Sequence, residues 1–249
     1  MAILADLVPS LLGVAVLAAV ATAVLAVFRV PHRWAPAAAI ARGAVQLAVI
    51  SVILTGIIGS PVLIAAALLV MFTVASAVAT ARVGWSGRHV AAMSTSIAAG
   101  VLVAAVTVFA SGALALTSRY ALAIGAIIIG NAMSIATLTG RNLTTSVHDH
   151  WDHVEGWLAL GAPPRRSTLD LARRAVRDAL VPSVDQTKTT GLVVLPGAFV
   201  GAIFGGISPL EAGRFQIVVL ASILAAGSVT AVMVALWFGA VTTKPGPPS

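Results

Sequence analysis

The chain of 249 residues is 59% hydrophobic and only 9% charged, with a mean hydropathy of +1.03. A soluble domain carries roughly 25% charged residues, so lipid must cover what no core of this size could hide, which excludes a soluble enzyme and a disordered chain alike. The net charge of +7 therefore belongs to loops that set topology rather than to a nucleic-acid surface, and the absence of cysteine excludes disulfides and thiolate metal sites.

The N-terminus, MAILADLVPS, has no Lys or Arg and carries Asp6, so it lacks the basic start of a cleavable signal and the apolar run behind it reads as a span. Seven stretches approach the length of about 20 apolar residues that a membrane helix needs: 7–28, 40–58, 62–79, 90–110, 121–138, 192–207 and 217–241. Gly59-Ser60-Pro61 joins the second and third as a tight antiparallel pair. The sixth is short and broken by Pro196-Gly197, with a start as early as Ser183. The fold predicted is an all-α polytopic transmembrane bundle of about seven spans, one permease-like domain over 1–249. A six-span alternative would demote the first or the sixth run.

Orientation follows from cation asymmetry. With the N-terminus outside, thirteen Lys and Arg fall on inner segments and only Arg119 and Arg214 on outer ones. The C-terminus is then cytoplasmic, and the chain is expected to be multi-pass in a cell membrane.

The segment 139–190 interrupts the short loops and holds most of the charge. Val154, Trp157, Leu158 and Gly161 share one helical face, and Ala162-Pro163-Pro164 stops that helix. A second helix is predicted after Ser167/Thr168, with Leu169, Ala172, Val176 and Leu180 on one side. Asp170–Arg174 and Arg174–Asp178 have ion-pair spacing. This predicts a cytoplasmic amphipathic helix-turn-helix, either lying at the interface or docking a partner.

No motif carries catalysis. No Gly-Lys exists for a phosphate loop, and the Gly-x-Ser-x-Gly and His-Glu-x-x-His patterns are absent, so the chain is not expected to be an enzyme or to bind a cofactor itself. The run His148-Asp149-His150-Trp151-Asp152-His153 is dense in metal-binding side chains. It reads better as a solvated helix start with Trp151 as an interfacial anchor.

Polar groups within spans say more, because each is costly unless it faces a partner or a cavity. Arg42 and Gln46 are four apart on the second span, and Asn131 and Ser134 lie on one face of the fifth. Asp185 and Lys188 precede the sixth span, while Glu211, Arg214 and Gln216 precede the seventh. Arg42, Gln46, Asn131, Ser134, Asp185 and Lys188 are the candidate substrate pathway. Pro196 is expected to free the Leu192 carbonyl beside Asp185, giving hard oxygen ligands for a cation. Snorkelling of Arg42, helix packing through Ser and Thr, and a simple Asp185–Lys188 pair are the plainer readings.

The segments Gly130-Asn131-Ala132-Met133 and Leu158-Ala159-Leu160-Gly161-Ala162, the run from Pro182 to Gly197 (PSVDQTKTTGLVVLPG), Gly205-Gly206-Ile207-Ser208-Pro209-Leu210-Glu211-Ala212 and Arg214-Phe215-Gln216, with Ala41-Arg42-Gly43-Ala44-Val45-Gln46-Leu47 upstream, closely resemble the FetB-type family of ABC-transporter membrane subunits. The resemblance implies a permease powered by ATP on a separate ATP-binding subunit, working as a symmetric homodimer in the bilayer without nucleic acid. Bacterial members of that family are linked to iron export and plant relatives to aluminium tolerance. Glu155 and Gly161 follow the spacing of the loop by which importer permeases dock their ATPases, which makes Glu155, Trp157, Leu158, Leu160, Gly161, Pro163 and Arg173 the implied docking residues. Ala198-Phe199 follow Leu-Pro-Gly where relatives often carry Met-Met, so the metal substrate comes from the resemblance and not from thioether ligands. Two rivals remain: a secondary transporter, which should show paired broken spans, and a membrane adaptor that moves nothing, whose intramembrane polar residues should tolerate apolar replacement.

Overall fold

The computed structural model describes residues 2–57 and 59–246, with side chains from Val8 onward. The chain divides into two compact units, Met1–Gly59 and Ser60–Ser249. The first contains α1 (Ala2–Val27) and α2 (Ala35–Ile57). Both are predominantly apolar, and α2 buries no residue. That is the pattern of a helix whose solvent is lipid.

The second unit contains α3 (Pro61–Val83), α4 (Gly87–Ala110), α5 (Ser118–Asp149), α6 (Trp151–Ala159), α7 (Pro164–Ser167), α8 (Leu169–Thr189), α9 (Gly197–Phe204) and α10 (Pro209–Phe238). Hydroxyl caps start the long apolar helices: Ser60, Ser86, Thr117 and Ser208 each accept an amide of the first turn.

Contacts between side chains set the directions of these helices. Leu68 packs on Gly125 and Val83 on Gly140, so α3 and α5 run parallel. Arg88 Nη2 donates to the Trp237 carbonyl at 3.1 Å, and Thr230 Oγ1 to the Ser96 carbonyl at 3.3 Å, so α4 runs antiparallel to α10. Gly100 lets these two backbones meet, since a Cβ there would strike Thr230 and the Ala226 carbonyl. Ile124 and Ile128 pack with Val219 and Ile223, and Leu143 and Val147 with Ala235, so α5 and α10 are parallel too.

Two parallel helices joined in sequence require the chain to travel back between them. Thr168 Oγ1 donates to the Gly239 carbonyl at 2.7 Å, which places the start of α8 at the end of α10. Ala179 clusters with Ile135 and Ala231, and Leu180 reaches Gly227. Farther along, Phe199 of α9 lies against Gly213. The return is therefore made in two pieces, α8 and then α9, lying antiparallel to α10. Gly191, at φ +86, turns the chain between them, and the Thr189 carbonyl accepts the amides of Val193 and Val194 at 3.0 and 3.2 Å.

Six helices are long and apolar enough to cross a membrane. The seventh stretch expected, 192–207, is not a continuous helix: its helical part is the eight residues of α9. The return between α5 and α10 is shared with α8, which carries seven charged residues among its 21 and is not among those six helices. Residues up to Asp149 extend α5, and α8 packs along α5 and α10 instead of lying apart from them.

Candidate functional site

The apolar face of α8 consists of Ala172, Ala175, Val176 and Ala179, packed on α5 and α10; Leu169, expected on that face, is exposed. The opposite face carries Arg174, Arg177, Asp178, Asp185 and Lys188, all exposed. Leu180 sits beside Gly227, about 17 Å from the end of α10 at 1.5 Å per residue. Five residues later, Asp185 lies about 24 Å along a helix about 45 Å long. The charged face thus extends from the arginine-rich end of the unit to half its depth. Asp185 and Lys188 face outward and pair with each other at 3.4 Å, with side chains 60% and 70% exposed. The ion pairs nearer the start of α8 join Arg173 to Asp170 at 3.5 Å and Arg177 to Asp178 at 3.1 Å, not the partners predicted from four-residue spacing.

Asn131 reaches nearly the same depth on α5, because Ile135 is level with Ala179; at 1.5 Å per residue Asn131 lies about 3 Å and Ser134 about 8 Å from the level of Asp185. Asn131 Nδ2 donates to the Ile127 carbonyl at 2.9 Å and Ser134 Oγ to the Gly130 carbonyl at 3.2 Å. Ser134 is exposed and the Asn131 carbonyl oxygen is left for another donor or a cation. Gln216, on α10 between Gly213 and Leu220, is buried with no hydrogen-bond partner at Oε1. Its polarity was visible in the sequence. Its burial was not.

Pro196 does not free the Leu192 carbonyl as expected. It is the residue preceding α9, at φ −62° and ψ 144°, so no helix runs through it. The break lies at Thr190–Gly191, where threonine hydroxyls cover the last carbonyls of α8: Thr189 Oγ1 donates to Asp185 O at 2.9 Å and Thr190 Oγ1 to Gln186 O at 2.7 Å. This lets a helix end without orphaned acceptors. Arg42 and Gln46 belong to the first unit, where both are exposed on α2.

At the arginine-rich end, α6 closes the bundle. Val154 is buried and Leu158 packs with it against Leu143, Val147 and Leu171. Leu158 is half-buried, with part of its side chain packed on this cluster. Gly161 ends α6: its amide reaches the Leu158 carbonyl at 2.9 Å, and the Ala162 amide reaches the Trp157 carbonyl at 3.0 Å. This double closure needs a left-handed residue, and Gly161 has φ +84. Pro163 precedes α7 in extended conformation. Glu155, Trp157, Leu160 and Arg173 are exposed, with Leu160 82% accessible.

The histidines do not converge. His148 Nδ1 meets the Pro245 carbonyl at 2.9 Å, His150 Nδ1 the Ser146 carbonyl at 2.9 Å, and His153 Nε2 accepts from Trp157 Nε1 at 3.2 Å. Among the described residues no group of three His, Asp or Glu could hold a metal.

Comparison with known proteins agrees with a polytopic helical architecture. The chain is 39% identical over 199 residues to "UPF0014 membrane protein STAR2" of Oryza sativa subsp. japonica, covering 78% of this chain and 69% of the relative. It is 38% identical over 146 residues to "Protein ALUMINUM SENSITIVE 3" of Arabidopsis thaliana, covering 59% and 53%. With "Probable iron export permease protein FetB" of Escherichia coli (strain K12) it shares 34% over 141 residues, covering 57% and 54%. The chain thus spans about half the length of the latter two. No solved structure matches. Residues 8–241 match the family described as "Uncharacterised protein family (UPF0014)", and this chain, a helical membrane protein, belongs to that family.

Proposed function

We propose that the chain is the membrane-spanning permease subunit of an ABC transporter, that two copies act with two separate ATP-binding subunits, and that a metal cation is the cargo. The observation that carries this is α8. A charged helix face facing hydrocarbon at half-depth would cost several kcal/mol, so water or protein must cover it. Charged residues on the exposed side of α8, Arg174, Arg177 and Asp178 near the arginine-rich end and Asp185 and Lys188 at half-depth, with Val181 and Pro182 between the two groups, form one wall of a half-channel. Asp185 offers hard oxygen ligands, and Asn131 adds an acceptor within about 3 Å of its level. That FetB is named an iron export permease makes iron the first cargo to test.

The arginine-rich end is then cytoplasmic, with α8 and α9 completing a seventh crossing, the N-terminus outside and the C-terminus inside. Trp157 and Leu160, exposed beside Glu155 and Pro163, form the face offered to the ATPase within the coupling segment 139–190. A secondary transporter built of inverted repeats would pair this break with a second one, whereas α3, α4, α5 and α10 are continuous. The chain itself needs no bound cofactor in this reading; ATP is held by the partner.

Metal accumulation in cells that co-express the ATP-binding subunit tests the proposal. Asp185→Asn and Asn131→Leu should alter accumulation more than Arg214→Gln or alanine at His148, His150 and His153. Normal transport by Asp185→Asn together with failure of the histidine variants would overturn the pathway.

A further inference from the structure

A second cavity lies at the arginine-rich end, away from the half-channel, with a volume of about 510 Å³. Its polar wall is Arg88, His89, Thr144, Thr242 and Thr243, and its apolar wall includes Val83, Ala92, Leu143 and Phe238. Asp and Glu are absent from this lining, so two basic side chains and three hydroxyls meet no acid there. Arg88 uses one of its five N–H groups on the Trp237 carbonyl. His89 is held in place by two contacts: its ring stacks on Phe238 at 4.9 Å, and Nδ1 bonds the Gly84 carbonyl at 2.7 Å. Because a carbonyl only accepts, Nδ1 carries the proton, and Nε2 donates to a phosphate oxygen only in the doubly protonated ring, so Arg88 is the cation present in both forms. The C-terminal segment closes one side, with Pro245 tied to His148 at 2.9 Å.

We propose that this cavity binds a phosphate group, the cationic wall taking the phosphate oxygens and the apolar wall taking what is attached to them. The volume exceeds what a bare phosphate would fill and suits a drug-sized amphiphile. The source is an anionic phospholipid headgroup of the adjoining leaflet, or a soluble phosphate. Basic pockets between membrane helices at the level of the headgroups have the chemistry for this. The inference does not rest on the transport reading, and its test needs no ATPase.

The purified chain in detergent is offered equal amounts of phosphatidylglycerol and phosphatidylcholine, and retained lipid is read by native mass spectrometry. Phosphatidylglycerol should be retained about tenfold better, matching the strength of one charge-assisted bond. Arg88→Gln should remove that preference by deleting the cation, and Thr144→Leu by filling the cavity, with helical content checked for each. Arg119→Gln, at the opposite end of α5, should leave it unchanged. Displacement of the lipid by inorganic phosphate identifies a soluble anion as the competent source; resistance to displacement identifies the lipid. Equal retention of the two lipids, or an unchanged preference in either folded variant, overturns the proposal.

Discussion

At the residue scale, two glycines do different work. Gly161 holds a left-handed conformation with open space where a side chain would stand, so the cost of replacing it is conformational, about 1–2 kcal/mol. Gly161→Asn, which tolerates this region better, should retain more coupling of ATP hydrolysis to transport than Gly161→Val in vesicles containing both subunits. Equal loss in both would show that the docking partner needs the missing side chain, not the turn. Gly100 is the reverse case, with helical backbone and no room. Gly100→Val should prevent α4 from seating on α10 and lower the yield of folded protein, whereas Gly130→Ala, with nothing near it, should not. The docking expectation divides at this scale too: Leu158→Asp should destabilise the bundle because Leu158 packs partly on its core cluster, while Leu160→Asp should leave folding intact and uncouple the ATPase.

At the scale of the element, α8 decides the argument. Its periodicity predicts an amphipathic helix from sequence alone, and Ala172, Val176 and Leu180 do lie on its packed side. What periodicity cannot say is whether the polar side faces the surface of a membrane or an aqueous channel across it, because the same stripe serves both. The contacts to Ile135 and Gly227 place α8 along the bundle, and a channel on its polar side is the proposal to test. Since the chain has no native thiol, single cysteines can read the consequence. Cysteine at Arg174, Val181 and Asp185 should react with a water-soluble thiol reagent in inside-out vesicles, and cysteine at Ala175 and Ala179 should not. Silence at Val181 and Asp185 would mean that their face is covered by protein and not by water.

For the whole molecule, the parallel course of α5 and α10 forces an odd number of crossings between them, whatever the loop charges say. Combined with the excess of cations at one end, this predicts that cysteine at Arg173 is shielded from impermeant reagent in intact cells while cysteine at Arg119 is labelled. Labelling at Arg173 from outside would reverse the orientation.

Composition alone determined that the chain lives in lipid, since no core of this size can bury so many apolar side chains, and the long apolar runs located the six continuous helices. The polar residues Asn131, Ser134, Asp185 and Lys188 were also legible, because charge and amide groups are rare in such runs. Only the tertiary structure decided how they are arranged: that a charged helix and a short apolar one make the return between α5 and α10, that Asn131 and Asp185 lie at nearly the same depth, that Leu158 packs on the core cluster while Leu160 is exposed, and that Gln216 is buried with no partner at Oε1. The physical reason is that hydropathy measures the average solvent of a segment, whereas a helix packed on one side and wetted on the other has no single solvent, and which side meets which is settled by its neighbours.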